Sequence, residues 1–244
     1  MTTYTTVADS NGDFIVPFST EYSSGEKITV TAEKDSATKS IEIYAPSKVI
    51  GSGTIQFTGS LNDFPGNIGG VIISGISGII GDYAFQPENT QQGGFQRKAT
   101  SLQIFDGVTK IGASAFKGWS AVKALSLPST LLFIGSSAFS GLSALTSLII
   151  PNSVDTIDSF AFEYCTSLTT LTLGSGVRWV GGLIISNSTN LRNIYSLATV
   201  PPNIISSTFG GLHSSATIYV PADSVAAYRS APNWSTFASR IQAI

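Results

Sequence analysis

Residues 111–128 read "IGASAFKGWSAVKALSLP", residues 134–151 read "IGSSAFSGLSALTSLIIP", and residues 157–174 read "IDSFAFEYCTSLTTLTLG". Ile111, Ile134, Ile157 and Val180 follow one another at steps of 23 residues, and so do Phe116, Phe139 and Phe162. Leu125, Leu148 and Leu171 keep the same step, as do Leu127, Ile150 and Leu173. A fixed period of this length limits the architecture severely. One copy is a single supersecondary unit that cannot bury its own apolar face, so copies must stack into a quasi-one-dimensional array.

The unit is I-G-x-x-A-F-x-x-x-x-x-L-x-x-L-x-L-P-x-x-V-x-x, with substitutions. The alternating L-x-L places two apolar side chains on one face of a short strand. Pro128 and Pro151 end two such strands, because proline has no ladder donor. The Ala-Phe pair fits a tight convex segment that plugs one end of the core. Backwards, Val71 and Ile73 align with Leu125 and Leu127, and Ala84-Phe85 with Ala115-Phe116. Ile80 to Leu102 spans 22 residues where Ile111 to Leu125 spans 14, so 8 extra residues lie near 86–101. Forwards, Leu191 continues from Leu168, and "ATIYVP" (216–221) supplies a last strand one residue out of phase. Residues 222–244 are expected to form a helical cap, since an open end would expose core and strand edge.

Charge narrows the possible partners. Lys and Arg number 13 against 15 Asp and Glu, and charged residues make up 11% of the chain. A net charge of −2 implies no basic face, which argues against nucleic acid and anionic membranes. No apolar run approaches the roughly 18 residues of a membrane span. Cys165 is the single cysteine, which rules out an intramolecular disulfide. "MTTYTTVADS" carries no basic or apolar leader pattern.

With these residues in view, the pattern resembles the BspA-like class of bacterial leucine-rich repeats, in which "IGxxAFxxCxxLxxLxLPxxVxxI" recurs. Tyr164-Cys165-Thr166-Ser167-Leu168 matches that pattern, with Trp119 and Leu142 standing in for the cysteine in neighbouring units. The ending "IYVPADSVAAYRSAPNWSTFASRIQAI" is similar to the usual end of such arrays. The resemblance covers roughly 60–244 and implies a mostly β solenoid. It also implies a surface protein that binds host or matrix molecules without catalysis.

Residues 1–46 follow another grammar. "DFIVPF", "EKITVTAEK" and "KSIEIYAP" alternate like strands, separated by the turn signals "SNGD" and "SSGE". The segment resembles the second half of bacterial immunoglobulin-like modules, and also short β-modules of phage tail fibres. A full sandwich needs about seven strands. This half-module is therefore expected either to pack on the first solenoid strand or to self-associate with another chain. Residues 47–59 are read as the junction and 60–221 as the solenoid.

Chemistry is sparse. His213 is the only histidine, and no GxSxG elbow accompanies it. Asp9, Asn11 and Asp13 have the odd-position spacing of a calcium loop. The glycine and glutamate that such a loop needs at its sixth and twelfth positions are here Phe14 and Thr20. A hairpin turn on Asn11-Gly12 accounts for the stretch better. Cys165 lacks a partner at ligand spacing. Gly51-x-Gly53 and Gly174-x-Gly176 lack the third glycine of a dinucleotide site. Asn187 and Asn233 begin glycosylation sequons, read as accidental. Asp155, Asp158 and Glu163 fall at solvent positions of the repeat with no acid–base pairing. No cofactor or metal is expected, and no enzyme.

The surface is what remains. The middle residue of each L-x-L points outward, giving the column Ile72, Gln103, Ser126, Ile149, Thr172 and Tyr195. Two residues before each strand's first leucine lie Lys123, Thr146, Thr169 and Arg192. Such small or weakly basic side chains suit hydrogen bonding to sugar or peptide, or simply solubilise the sheet. The insertion, with Phe95, Arg97, Gln91 and Gln92, is a second candidate, since long loops carry binding. The expectation is a non-enzymatic adhesion protein that recognises a cell-surface protein or glycan. It is placed on a phage or prophage tail, where no export leader is needed, or otherwise extracellular. A bacterial cell-surface adhesin is the alternative, and a carbohydrate-active enzyme the disfavoured third class.

Overall fold

The structure is a computed structural model that describes residues 14–18, 27–34, 37–44, 53–58, 69–86 and 97–244. Two short strands recur in each unit. The L-x-L strands are β5 (Gly70–Ser74), β7 (Ser101–Ile104), β9 (Ala124–Ser126), β11 (Ser147–Ile149), β13 (Thr170–Leu173), β15 (Asn193–Ser196) and β17 (Thr217–Val220). The strands that end on the repeat isoleucine are β6 (Gly78–Ile80), β8 (Val108–Ile111), β10 (Phe133–Ile134), β12 (Thr156–Ile157), β14 (Trp179–Val180) and β16 (Asn203–Ile204). Strands of each kind pair in parallel with the same kind in the next unit. Leu148 meets Leu171, and Ile134 meets Ile157. Ile73 pairs with Ile104, 31 residues on, which is the 23-residue period plus the 8-residue insertion. Ile194 pairs with Ile218, 24 residues on, in keeping with the phase slip read from "ATIYVP".

The β6-to-β16 sheet is one continuous six-stranded ladder, whereas the L-x-L face is two five-stranded ladders. The division lies between β9 and β11, which are not hydrogen-bonded neighbours. At this place Leu125 and Leu127 are only partly buried, while their copies Leu148, Ile150, Leu171 and Leu173 are fully buried.

A third ladder runs through the Ala-Phe turns, where every second amide donates to the next unit. Ser114, Phe116 and Gly118 give their N–H groups to the carbonyls of Ser136, Ala138 and Ser140 at 2.8 Å. The backbone reaches this alternation by entering the left-handed region twice per turn. The residue before each Ala does so without glycine: Tyr83, Ser114, Ser137, Phe160 and Leu183 have φ of 55–61°. Four residues after Ser114, Ser137, Phe160 and Leu183 the slot holds Gly118, Gly141, Tyr164 and Asn187, and in the last unit it holds Gly211. Glycine and asparagine suit it, since a β-carbon costs most in that region. Gly112, Gly135 and Gly181 meet a different demand: a β-carbon there would come within 2.5–2.7 Å of the preceding unit's backbone.

The core is a stack of like residues. Phe85, Phe116, Phe139 and Phe162 form a buried column of near-parallel rings with centroids 5.2, 5.4 and 5.9 Å apart. Ile184-Ile185 then replaces Ala-Phe, and Phe209 resumes the aromatic slot against Trp234 and Phe237. Trp119, Leu142, Cys165 and Ser188 share one buried slot, so the cysteine is a packing position. Trp119 Nε1 donates to the Phe85 carbonyl at 2.8 Å, and Ser188 Oγ to the Phe162 carbonyl at 3.2 Å. Each polar occupant thus brings its own partner into the core.

The ends differ from the simplest expectation. The segment read as a helical cap holds one six-residue helix, α1 (Val225–Ser230), with two 3-10 turns and a closing parallel strand, β18 (Ile241–Ala243). Tyr228 and Trp234 seal the core, and their polar tips donate to the carbonyls of Ala198 and Pro202. Asn233 stands left-handed at φ 64°, and its Nδ2 donates to the Ile204 carbonyl, which gives that sequon a structural reason.

At the other end, β2 (Lys27–Lys34) and β3 (Ala37–Tyr44) form a separate antiparallel pair. β1 (Phe14–Phe18) and β4 (Gly53–Thr58) instead extend the L-x-L sheet, with β4 antiparallel on β5 and β1 outermost. Residues 53–58, read as part of a junction, are thus a sheet strand. The described residues show these four strands and not an immunoglobulin-like sandwich. Pro17 falls in β1, the outermost strand, and edge strands are where proline is tolerated in a sheet. Asp9, Asn11, Asp13, Gln91, Gln92 and Phe95 lie outside the described residues.

Candidate functional site

The outward column of the L-x-L face is held by strand register. Ile72 pairs with Gln103 and Gln103 with Ser126. Beyond the ladder break, Ile149 pairs with Thr172, Thr172 with Tyr195, Tyr195 with Tyr219, and Tyr219 with Gln242. The structure therefore brings Thr172 and Tyr195 together but leaves Gln103 and Ser126 on a different ladder. Gln103, Ser126 and Ile149 are exposed, Ile149 by 69%. Tyr195 and Tyr219 stack with centroids 4.9 Å apart and planes at 16°. Cross-strand aromatic pairs of this kind stiffen a sheet face and present two hydroxyls side by side. Tyr219 and Gln242 were outside the column read from sequence. The 24-residue step before β17 and the unrepetitive cap hid them.

The second column is less free than its composition suggests. Lys123, Thr146 and Thr169 are exposed and Arg192 is partly buried. Thr169 Oγ1 donates to the Thr146 carbonyl at 3.0 Å. Arg192 Nη1 donates to the carbonyls of Thr189 and Leu191 at 2.9 and 3.2 Å. Those two side chains serve the array's own backbone before any ligand. Arg97 is exposed at the end of the insertion.

The opposite sheet carries a second outward column that sequence reasoning missed. It consists of the residue before each repeat isoleucine: Ile79, Lys110, Phe133, Thr156, Trp179 and Asn203 in register. Lys110 Nζ stands 4.9 Å from the Phe133 ring centroid. Trp179 is 41% exposed, whereas Trp119 and Trp234 are fully buried. Beside the column, Asp155 Oδ1 lies 3.7 Å from Arg178 Nε, and Asp155 Oδ2 accepts from Thr156 Oγ1 at 2.8 Å.

Groups that could act chemically are engaged locally. His213 Nδ1 lies 2.8 Å from Ser215 Oγ and accepts the Ser215 amide at 3.1 Å, a self-contained loop turn. Ser and His two residues apart, with no carboxylate orienting the ring in the contacts they make, do not form a triad. Asp158 Oδ1 takes the Ser159 amide at 2.7 Å. Burial pushes the Cys165 thiol up to about 12, and its sulfur lies 3.6 Å from the Phe139 carbonyl. A neutral buried thiol is neither nucleophile nor metal ligand. Among the described residues no cluster of His, Cys, Asp and Glu could hold a metal, and no helix is long and apolar enough to cross a membrane.

These repeats have known counterparts. The family described as BspA type leucine rich repeat region matches residues 78–215, in six copies. No curated protein matches the chain. Among solved structures, a leucine-rich repeat protein from Eubacterium ventriosum is 19% identical, with a TM-score of 0.54 over 82% of this chain and 45% of that one. The pneumococcal vaccine antigen PcpA is 19% identical, with a TM-score of 0.50 over 69% of this chain and 38% of that one. A leucine rich cell surface protein from Faecalibacterium prausnitzii is 25% identical, with a TM-score of 0.46 over 68% of this chain and 52% of that one. The chain spans about half the length of these proteins or less. The stacked units, their turns and the six matched copies lead to one assignment: the chain belongs to the BspA-type leucine-rich repeat family.

Proposed function

We propose that this chain is a non-enzymatic adhesion module that holds a cell-surface protein or glycan on its L-x-L face. The observation that carries the reading is the rigid column Thr172–Tyr195–Tyr219, two stacked rings and a hydroxyl held at a strand spacing of about 4.8 Å. An extended ligand meets several of these groups at once without ordering them, so little entropy is lost on binding. Gln103, Ser126, Lys123 and Thr146 extend the surface across the ladder break. Family membership supports binding over catalysis, and the engaged state of His213 and Cys165 agrees with it.

The location proposed is outside the cytoplasm, on a bacterial surface or on a phage or prophage particle. The resemblance of residues 1–46 to tail-fibre and immunoglobulin-like modules favours a carried tip, with self-association through that module as a further proposal. Antibody labelling of intact cells against purified particles separates the two locations. The face is tested by replacing Thr172, Tyr195 and Tyr219 with alanine and measuring binding of fluorescent protein to a panel of cells and immobilised glycans. Binding is expected to fall while circular dichroism stays unchanged. A parallel deletion of residues 88–98 tests the insertion. If both variants bind like the parent, the sheet face is not the receptor surface.

A further inference from the structure

The second face differs in chemistry from the first. Along β10, β12 and β14 the column alternates an aromatic ring, a hydroxyl and an aromatic ring: Phe133, Thr156, Trp179. The rings lie two strands apart, roughly 9–10 Å. The strip between them is polar, because Thr156 lies between the rings and donates to Asp155 beside it, which stands 3.7 Å from Arg178 Nε. Asn203 continues the column past Trp179 and is exposed. Apolar residues never adjoin along this part of the column. The exposed Leu132 adjoins Phe133, but Thr156 and Asp155 separate that pair from Trp179, so the strip lacks the contiguous apolar centre of a protein interface.

Charge excludes other partners. Asp155 and Arg178 offset one another, and Lys110 rests over the Phe133 ring, so the strip has no run of cations for phosphate or anionic lipid. A ligand that fits must be neutral. It must have flat apolar faces repeating along its length, and hydroxyls between them that both donate and accept. Linked pyranose rings have those properties: C–H faces pack on aromatic rings, and ring hydroxyls meet carboxylate, amide and guanidinium groups.

We infer that the β10–β12–β14 face is a carbohydrate-binding subsite for a neutral oligosaccharide, with the exposed Trp179 as the ring platform, the Lys110-capped Phe133 ring bordering it, and Asp155, Thr156, Arg178 and Asn203 as hydroxyl partners. It is independent of the L-x-L surface, from which it is separated by the core.

The protein supplies its own reporter. Two of its three tryptophans are fully buried, so changes in the exposed component of emission come from Trp179. The full chain is titrated with cellohexaose, chitohexaose and maltohexaose while emission and acrylamide quenching are followed. At least one sugar is expected to give a saturable emission shift and to protect Trp179 from quencher. Calorimetry then compares variants whose folding is checked by melting. Trp179→Ala and Asp155→Ala are expected to weaken binding about tenfold each, the effect of losing ~1.4 kcal/mol of contact. Trp179→Phe should retain most of it, and Tyr195→Ala should leave it unchanged. The inference is overturned if none of the three sugars shifts emission, or if Trp179→Ala binds as tightly as the parent. It is also overturned if glycan-stripped mucin binds through Trp179 as well as intact mucin, which would make the face a protein contact.

Discussion

Phe139→Ala is the most informative single change. Phe139 is fully buried, with the Phe116 ring 5.4 Å away on one side and the Phe162 ring 5.9 Å away on the other, at 4° and 7° to its plane. Removing a buried phenylalanine ring costs about 3–5 kcal/mol through lost transfer energy and the cavity left behind. Two ring partners, each carrying ~0.5–1.5 kcal/mol beyond area, place Phe139 in the upper part of that range. Phe85 is the internal comparison, since among the described residues of the column it stacks on Phe116 alone. Phe85→Ala should therefore cost less, by about one pair energy. Urea unfolding followed by circular dichroism measures both. Because units interact with their neighbours only, the Phe139 variant should also lose coupling between the two halves of the array. Trp119 and Trp234 then report separate midpoints where the parent shows one. A loss under ~1 kcal/mol for Phe139→Ala, or a larger loss for Phe85→Ala, would refute the column as the axis of stability.

Two further changes test other parts of the fold. Tyr164 is the bulky occupant of the left-handed slot held elsewhere by Gly118, Gly141 and Gly211, and it is half exposed. Tyr164→Gly should stabilise by about 0.5 kcal/mol, since relief of ~1–2 kcal/mol exceeds the glycine's extra chain entropy, and a lower melting point would contradict it. The Cys165 thiol is raised from 9.0 to about 12 by burial. The neutral thiol's contribution is then complete below pH 9 and is lost as pH rises from 9 toward 12, because the unfolded chain ionises first. Linkage gives a loss of about 1.4 kcal/mol by pH 10. Cys165→Ala should flatten that alkaline slope in denaturant titrations, and an unchanged slope would show that other groups, such as the similarly raised Tyr228 hydroxyl, carry it.

The period made most of the solenoid readable. Once Phe116, Phe139 and Phe162 fall at one step, their stacking follows, and the shared slot of Trp119, Leu142 and Cys165 follows with it. The L-x-L column was legible for the same reason, since alternation fixes which residue points outward. The second face was not, because Lys110, Phe133, Thr156, Trp179 and Asn203 change residue type from each unit to the next. Repetition reveals what the core must keep the same, and an outward position is free to vary. Strand β4 was hidden because its partner, β5, is set by antiparallel docking onto the array and not by any repeat. The backbone duties of Thr169 and Arg192 depend on where loop carbonyls point, which side-chain type alone does not encode.

The interrupted ladder between β9 and β11 has a mechanical consequence. Around that junction the β8–β10 ladder and the turn ladder remain closed, while on the L-x-L side β9 and β11 share no ladder and the Ser120 carbonyl, which accepts from the Ala144 amide and Ser143 Oγ at 3.2 Å, ties the units ahead of the strands. A rod fastened along two of its three sides bends by opening the third. Compliance is therefore concentrated between the units of Phe116 and Phe139, with the phenylalanine column as the pivot. Tension applied through the two ends would first widen the L-x-L side there. The spacing between Ser126 and Ile149 would then register load before any strand ladder of the array opens.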